Sequence, residues 1–334
     1  MATLLQEGFD GWTLTSDHTA QAVARGFPYY WRGEIVAAAP GRTGNRLKQF
    51  WTDSSSRMPI LGTGGAVSPT SYSTLSGGCA LQTTVGQYGA SIRITDVNGS
   101  LMLISILAGA WTISYNPTGT ANDIDASGLL SASYTENYVE FEWSPSAFSL
   151  YINNALAYTV AWTGVAVNLI NLAALNDANG MFVDDLYLQD TVPRRGMHRI
   201  VLLSKGTATD NTGTYTGAGT NITGTNSFDG DTTYYTLANA AGQQLMFPIT
   251  ATPLPATVDT VHAVTLTAQS RKTDAGTYNA NFQVTRSATD YNVGAMPNAM
   301  SYAGVAVNLT TDPSTSAAWT KAGVEAMEFG FKGA

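Results

Sequence analysis

Carboxylates spaced along one predicted strand are the sharpest chemical feature of this chain. Glu136 precedes, and Glu140 and Glu142 lie within, Tyr138–Trp143, a segment that alternates aromatic or aliphatic residues with carboxylates. Alternate residues of a strand share a face, so two such carboxylates can serve as the acid and nucleophile of retaining glycoside hydrolysis. A full three-carboxylate face is missing in either frame. From Glu136 the middle position is Tyr138, and from Glu140 the later positions are Ser144 and Pro145. These glutamates therefore read as outward polar positions on a half-buried strand. No catalytic residue is assigned, and Glu140→Gln or Glu142→Gln is expected to change stability little.

Asp184-Asp185 offers oxygen ligands of the kind calcium takes; the same pair also fits a strand entry with one Asp capping a turn. Asp229-Gly230-Asp231 lacks the remaining ligands of a calcium loop and reads as a turn. His18, His198 and His262 are far apart in sequence, and Cys79 is the one cysteine, so no metal site is assigned and no intrachain disulfide can form. Cys79, after Gly77-Gly78, reads as a small buried residue. No phosphate-binding loop, nucleophile elbow or dinucleotide fingerprint occurs, and Gly62-Thr63-Gly64-Gly65 lacks the strand and helix such a site needs. No cofactor is implied. One cluster suits recognition: Tyr29, Tyr30 and Trp31 can stack on sugar rings while Arg32 hydrogen-bonds hydroxyls, or the same rings can be core residues of a sandwich strand.

The partners are bounded by composition. The chain has 334 residues, a net charge of −8 and only 12% charged residues, against about 25% in an average soluble protein. Sixteen scattered Lys and Arg give no basic face for nucleic acid. The nearest cluster, Arg194-Arg195 with His198 and Arg199, reads as a solvated interdomain segment. The beginning of the chain lacks the basic and apolar regions of a signal peptide, and Leu101–Trp111 is too short to cross a bilayer, so synthesis in the cytoplasm without membrane insertion is expected. So few charges also point to packing against copies or neighbours.

These residues must be held by strands. Gly89–Asp96 alternates, Asn98-Gly99 offers a tight turn, and Leu101–Ile106 runs back. Tyr138–Trp143 is broken by Ser144-Pro145-Ser146, and Phe148–Ile152 leads through Asn153-Asn154 into Ala155–Tyr158. Short strands at this spacing predict an all-β fold of two sandwiches, split near Thr191–Gly196 into residues 1–192 and 193–334. In the second domain Gly196–Gly206 is predicted as an entry strand and Val258–Ala268 as a central one. Trp319, between the Asp312–Ser316 turn and the final strand, is its predicted structural anchor.

Two resemblances sharpen this reading. Val139–Trp143, Phe148–Asn154 and Phe182–Leu188, with Glu7–Trp12 as an opening strand, resemble a laminin-G or concanavalin-like jelly roll over residues 1–190. Laminarinase-type glycoside hydrolases share that fold, but their Glu, Asp, Glu strand is the pattern found incomplete above. Asp312-Pro313-Ser314-Thr315, Trp319-Thr320 and Glu328-Phe329-Gly330 resemble the ending of tailed-bacteriophage virion proteins, and Ser227–Tyr235 resembles another element of their C-terminal module. The resemblance implies a non-enzymatic structural protein of the tail, neck or head surface, located in the virion. Its implied partners are copies of itself and other virion proteins. Its alternative is a glycan-binding module of a fibre or spike, contacting a host-surface glycan through Tyr29–Arg32.

Overall fold

The computed structural model describes residues 3–7, 33–37, 45–49, 58–61, 70–83, 88–98, 101–107, 110–116, 122–125, 136–161, 166–174, 181–198, 200, 203, 206, 210–212, 214–216, 234–237, 242–249, 254, 258, 260–273, 275–276, 279–296, 299–301 and 303–333. Tyr29–Arg32, His18 and Asp229–Asp231 lie outside them. The described residues are almost wholly β and fall into two compact units, the first ending at Ile200 and the second beginning at Leu203.

In chain order the first unit contains β1 (Thr3–Glu7), β2 (Gly33–Ala37), β3 (Asn45–Gln49), β4 (Met58–Leu61), β5 (Leu75–Thr83), β6 (Tyr88–Asp96), β7 (Leu101–Leu107), β8 (Ala110–Asn116), β9 (Asn122–Asp125), β10 (Asn137–Trp143), β11 (Ala147–Ile152), β12 (Ala155–Ala161), β13 (Val167–Ala174) and β14 (Met181–Gln189). They form a sandwich of two antiparallel sheets. One runs β12-β11-β10-β5-β14-β3-β2 with β1 added on β14, and the other β4-β13-β6-β7-β8-β9.

Period-two alternation builds the core between the sheets. Leu75, Cys79 and Leu81 of β5, Val139, Phe141 and Trp143 of β10, and Leu186 and Leu188 of β14 face Ile92 and Ile94 of β6 and Ile170 and Leu172 of β13. Turn chemistry sets the hairpins. Asn153 and Asn154, at φ 48° and 74°, supply the left-handed pair that a two-residue connection between β11 and β12 needs. Asp96 Oδ1 accepts from Asn98 N (2.9 Å) as β6 turns toward β7.

The second unit is a smaller sandwich built from β15 (Asp210–Asn211), β16 (Thr214–Thr216), β17 (Tyr234–Thr236), β18 (Gln244–Pro248), β19 (Val264–Ser270), β20 (Ala280–Arg286), β21 (Thr289–Ala295), β22 (Ala303–Leu309), α1 (Lys321–Glu325) and β23 (Glu328–Gly333). A five-stranded sheet, β15-β18-β23-β20-β21, shares a core with the ladder β19–β22. Two strand expectations change here. Described residues within Gly196–Gly206 form no strand, Gly196 being at φ +80°. The strand expected from Val258 starts at Val264 and pairs with β22, while Val258 and Val261 pack on the core as irregular chain.

Candidate functional site

Charge and aromaticity concentrate on the outer face of the eight-stranded sheet. The register places Tyr151 of β11, Glu140 of β10, Gly78 of β5 and Tyr187 of β14 in one cross-strand row. The next row holds Ser149, Glu142, Ser76 and Gln189. Gly78 decides the geometry. A Cβ there would lie 2.6 Å from Glu140 Cγ and 3.0 Å from Tyr187 Cε1. Its absence lets two side chains from strands on either side of β5 meet, and the Tyr187 hydroxyl donates to Glu140 Oε1 at 2.8 Å.

Residues 190–198 lie across this face as a strap. Ser76 Oγ donates to Thr191 O (2.6 Å), and Gln189 Nε2 donates to Ser76 Oγ (2.8 Å) and Pro193 O (2.9 Å). The Arg194 guanidinium donates to Glu140 Oε2, to Asn154 Oδ1 (2.7 Å) and to Asn154 O (3.3 Å), and sits 4.0 Å over the Tyr151 ring. Arg194 N donates to Glu142 Oε1 (2.8 Å), whose other oxygen accepts from the Tyr151 hydroxyl (3.0 Å). Arg195 N donates to the Tyr187 hydroxyl (3.1 Å), and Arg195 Nε to Gln189 Oε1 (2.9 Å). His198 stands edge-on to Tyr187 and Tyr138. Its Nδ1 lies 2.9 Å from the Tyr138 hydroxyl and 3.0 Å from Gly196 O. Ile200 N closes the strap on Asp185 Oδ1 at 2.7 Å.

Two expectations are corrected by this packing. Glu140 is fully buried, not an outward polar residue, because the strap covers its face of the sheet. Arg194, Arg195 and His198 are tied to the first unit instead of forming a solvated segment, since the buried carboxylate and tyrosines supply their partners. Asp184 and Asp185 spend carboxylate oxygens on backbone N–H groups inside a bulge of β14, where Asp185 is left-handed at φ 50°. Among the described residues no group of three His, Cys, Asp or Glu side chains could hold a metal ion.

Electrostatics follow from burial. Burial pushes Glu140 up, and hydrogen bonds from Tyr187 and Arg194 only partly offset it. Burial and the neighbouring Glu140 charge raise Tyr187. Desolvation lowers Arg195. Both oxygens of Glu140 are occupied within the molecule, by Tyr187 and Arg194, so the cluster ties the strap to the sheet.

Sequence reasoning did not single out Tyr187, Gln189, Ser76 or the strap's role. A signal was present in Gly77-Gly78, since glycine inside a strand marks a close approach of other groups. Trp319 is buried in the second unit, 3% exposed, with its indole N–H donating to Leu309 O at 2.9 Å. Tyr29, Tyr30, Trp31 and Arg32 lie outside the described residues.

No protein-family model matches the chain, and no curated protein matches it. Among solved structures, the carbohydrate esterase of the Shiga toxin-encoding bacteriophage phi24B is similar over 57% of this chain and 99% of its own, at 14% identity and a TM-score of 0.42. The Caenorhabditis elegans galectin LEC-6 is similar over 42% of this chain and 95% of its own, at 14% identity and a TM-score of 0.32. The carbohydrate-binding module CBM66 of Bacillus subtilis is similar over 47% and 92%, at 13% identity and a TM-score of 0.32.

Proposed function

We propose that the protein is a non-enzymatic structural component of a tailed-bacteriophage virion, acting by protein–protein assembly. The observation that carries the non-enzymatic reading is Glu140. The carboxylate best placed for hydrolytic chemistry is sealed under residues 190–198 and bonded to Tyr187 and Arg194. A general acid or nucleophile must reach its substrate within hydrogen-bond distance, and this one faces its own chain. The virion reading is supported by the resemblance of Asp312–Thr315, Trp319-Thr320 and Glu328–Gly330, and by a low-charge composition suited to packing against neighbours. Mass spectrometry of purified particles tests it. Peptides of this chain should be present at stoichiometric level, and their absence would reject the virion role. Release of reducing ends from a host polysaccharide by the purified protein would reject the non-enzymatic half.

The lectin-like architecture of the first unit favours a second reading, a glycan-binding module of a fibre or spike. Saturable binding of the full chain to a glycan array, lost on replacing Trp31 with Ala, would move the assignment there.

A further inference from the structure

Sheets end on strands that could recruit another chain, and the three larger sheets of this protein guard most of theirs in sequence. At the ends of the three larger sheets, among the described strands, β1 contains Glu7, β2 Glu34, β4 Pro59, β9 Asp123 and Asp125, β15 Asp210 and β21 Asp290. A neighbouring strand could pair there only by desolvating a charge or losing a ladder bond. β12 is the exception. It closes the eight-stranded sheet beyond β11 and reads Ala-Leu-Ala-Tyr-Thr-Val-Ala, with neither charge nor proline. Leu156 is 55% exposed, and Thr159 and Ala161 are exposed as well.

We infer that β12 pairs antiparallel with β12 of a second copy of this chain, about a twofold axis perpendicular to the sheet, making one sheet continuous across two molecules. Such an axis keeps core-side residues opposite core-side residues. β12 bulges near Ala157, where Tyr151 pairs with Leu156 but Leu150 with Tyr158, and it runs regularly from Tyr158 to Ala161. An axis through Thr159 sets Tyr158 of each copy against Val160 of the other on the core side. On the outer side it sets the two Thr159 side chains against each other. Aromatic against β-branched and Thr against Thr are favourable cross-strand pairs, so the strand is complementary to itself. Tyr158 and Val160 already pack on the first core, so pairing extends an existing apolar rim. The net charge of −8 opposes the approach of two copies. A charge-free edge minimises that cost, because exposed charges are screened beyond a Debye length of about 8 Å at physiological salt. The pairing deepens the assembly reading, on which it rests for bringing many copies together.

Sedimentation of the full chain tests it. Wild type should show a concentration-dependent monomer–dimer equilibrium. Thr159→Lys places two ammonium groups face to face and should weaken the dimer about tenfold or more while leaving the fold intact. Thr159→Cys should give a disulfide-linked dimer on mild oxidation, because the native Cys79 is buried at 1% exposure. If the lysine variant misfolds, the cysteine result decides. A wild type that stays monomeric throughout, or a Thr159→Cys that never cross-links, overturns the pairing. Particle composition, which tests the virion role, is measured separately, so either idea can fail while the other stands.

Discussion

Glu140 is the residue on which the first unit's outer face turns, and its substitution separates a clasp from a surface ornament. Removing one partner of a buried ion pair leaves the other charge uncompensated and typically costs about 3–5 kcal/mol. Glu140→Gln should therefore lower stability by that order, against the small effect its sequence context led one to expect. Glu142 is half-buried, and in its glutamine replacement the amide oxygen can still accept from Arg194 N while the amide N–H donates to the Tyr151 hydroxyl, so Glu142→Gln should cost less than about 1 kcal/mol. Chemical denaturation of both variants checks the contrast, and equal losses would mean the strap does not hold Glu140. Gly78→Ala probes the same point sterically. Its new Cβ would meet Val139 O at 2.7 Å as well as Glu140, and an overpacked core site costs about 1–3 kcal/mol. The identity of Glu140 as a polar strand residue was legible from alternation. Its burial was not, because alternation gives the face and says nothing of what later chain covers it.

At the scale of elements, hairpins and strands were the legible part. The β6–β7 and β11–β12 hairpins follow from local turn residues, and the core follows from period two. The strap was illegible for a physical reason: residues 190–198 take no regular structure, and they are held by side chains of other strands, such as Glu140 for Arg194. The second unit has a comparable device in its terminal turn. Asp312, 4% exposed, accepts from Ser314 N (2.9 Å) and Ser314 Oγ (2.7 Å) and lies 3.4 Å from Arg286 Nε. Burial pushes its carboxyl up, but the Ser314 bonds and the Arg286 guanidinium together hold it below the usual carboxylate range. A depressed carboxyl contributes stability above its unfolded pKa, about 3.9, and loses it as pH falls through the folded value. The second unit should thus lose stability on acidification below about pH 4, and Asp312→Asn should flatten that limb. An unchanged pH profile in the variant would remove Asp312 from the account.

Across the whole molecule, two separate hydrophobic cores predict two separable unfolding events. Composition had marked Thr191–Gly196 as the break, because Pro, paired Arg and Gly usually signal a linker. Those residues instead carry the strap, and the compact units part at Ile200. Limited proteolysis should therefore spare Thr191–Gly196 and leave a stable fragment ending close to residue 200. Trp319 lets the two events be assigned. It packs with Val324, Met327 and Phe282, and α1 is placed beside it by Thr320, whose Oγ1 accepts from Gly323 N at 2.9 Å. Truncating a buried Trp to Ala typically costs about 3–5 kcal/mol, a large share of the roughly 5–15 kcal/mol that holds a domain together. Trp319→Ala should pull down one calorimetric transition and leave the other in place. Trp319→Phe keeps most of the packing but leaves Leu309 O without its donor, so a smaller loss of about 1 kcal/mol is expected. Two transitions falling together in Trp319→Ala would show that the units unfold as one body. A transition that moves in neither variant would place Trp319 outside the core that holds the second unit, and its role would then lie in assembly.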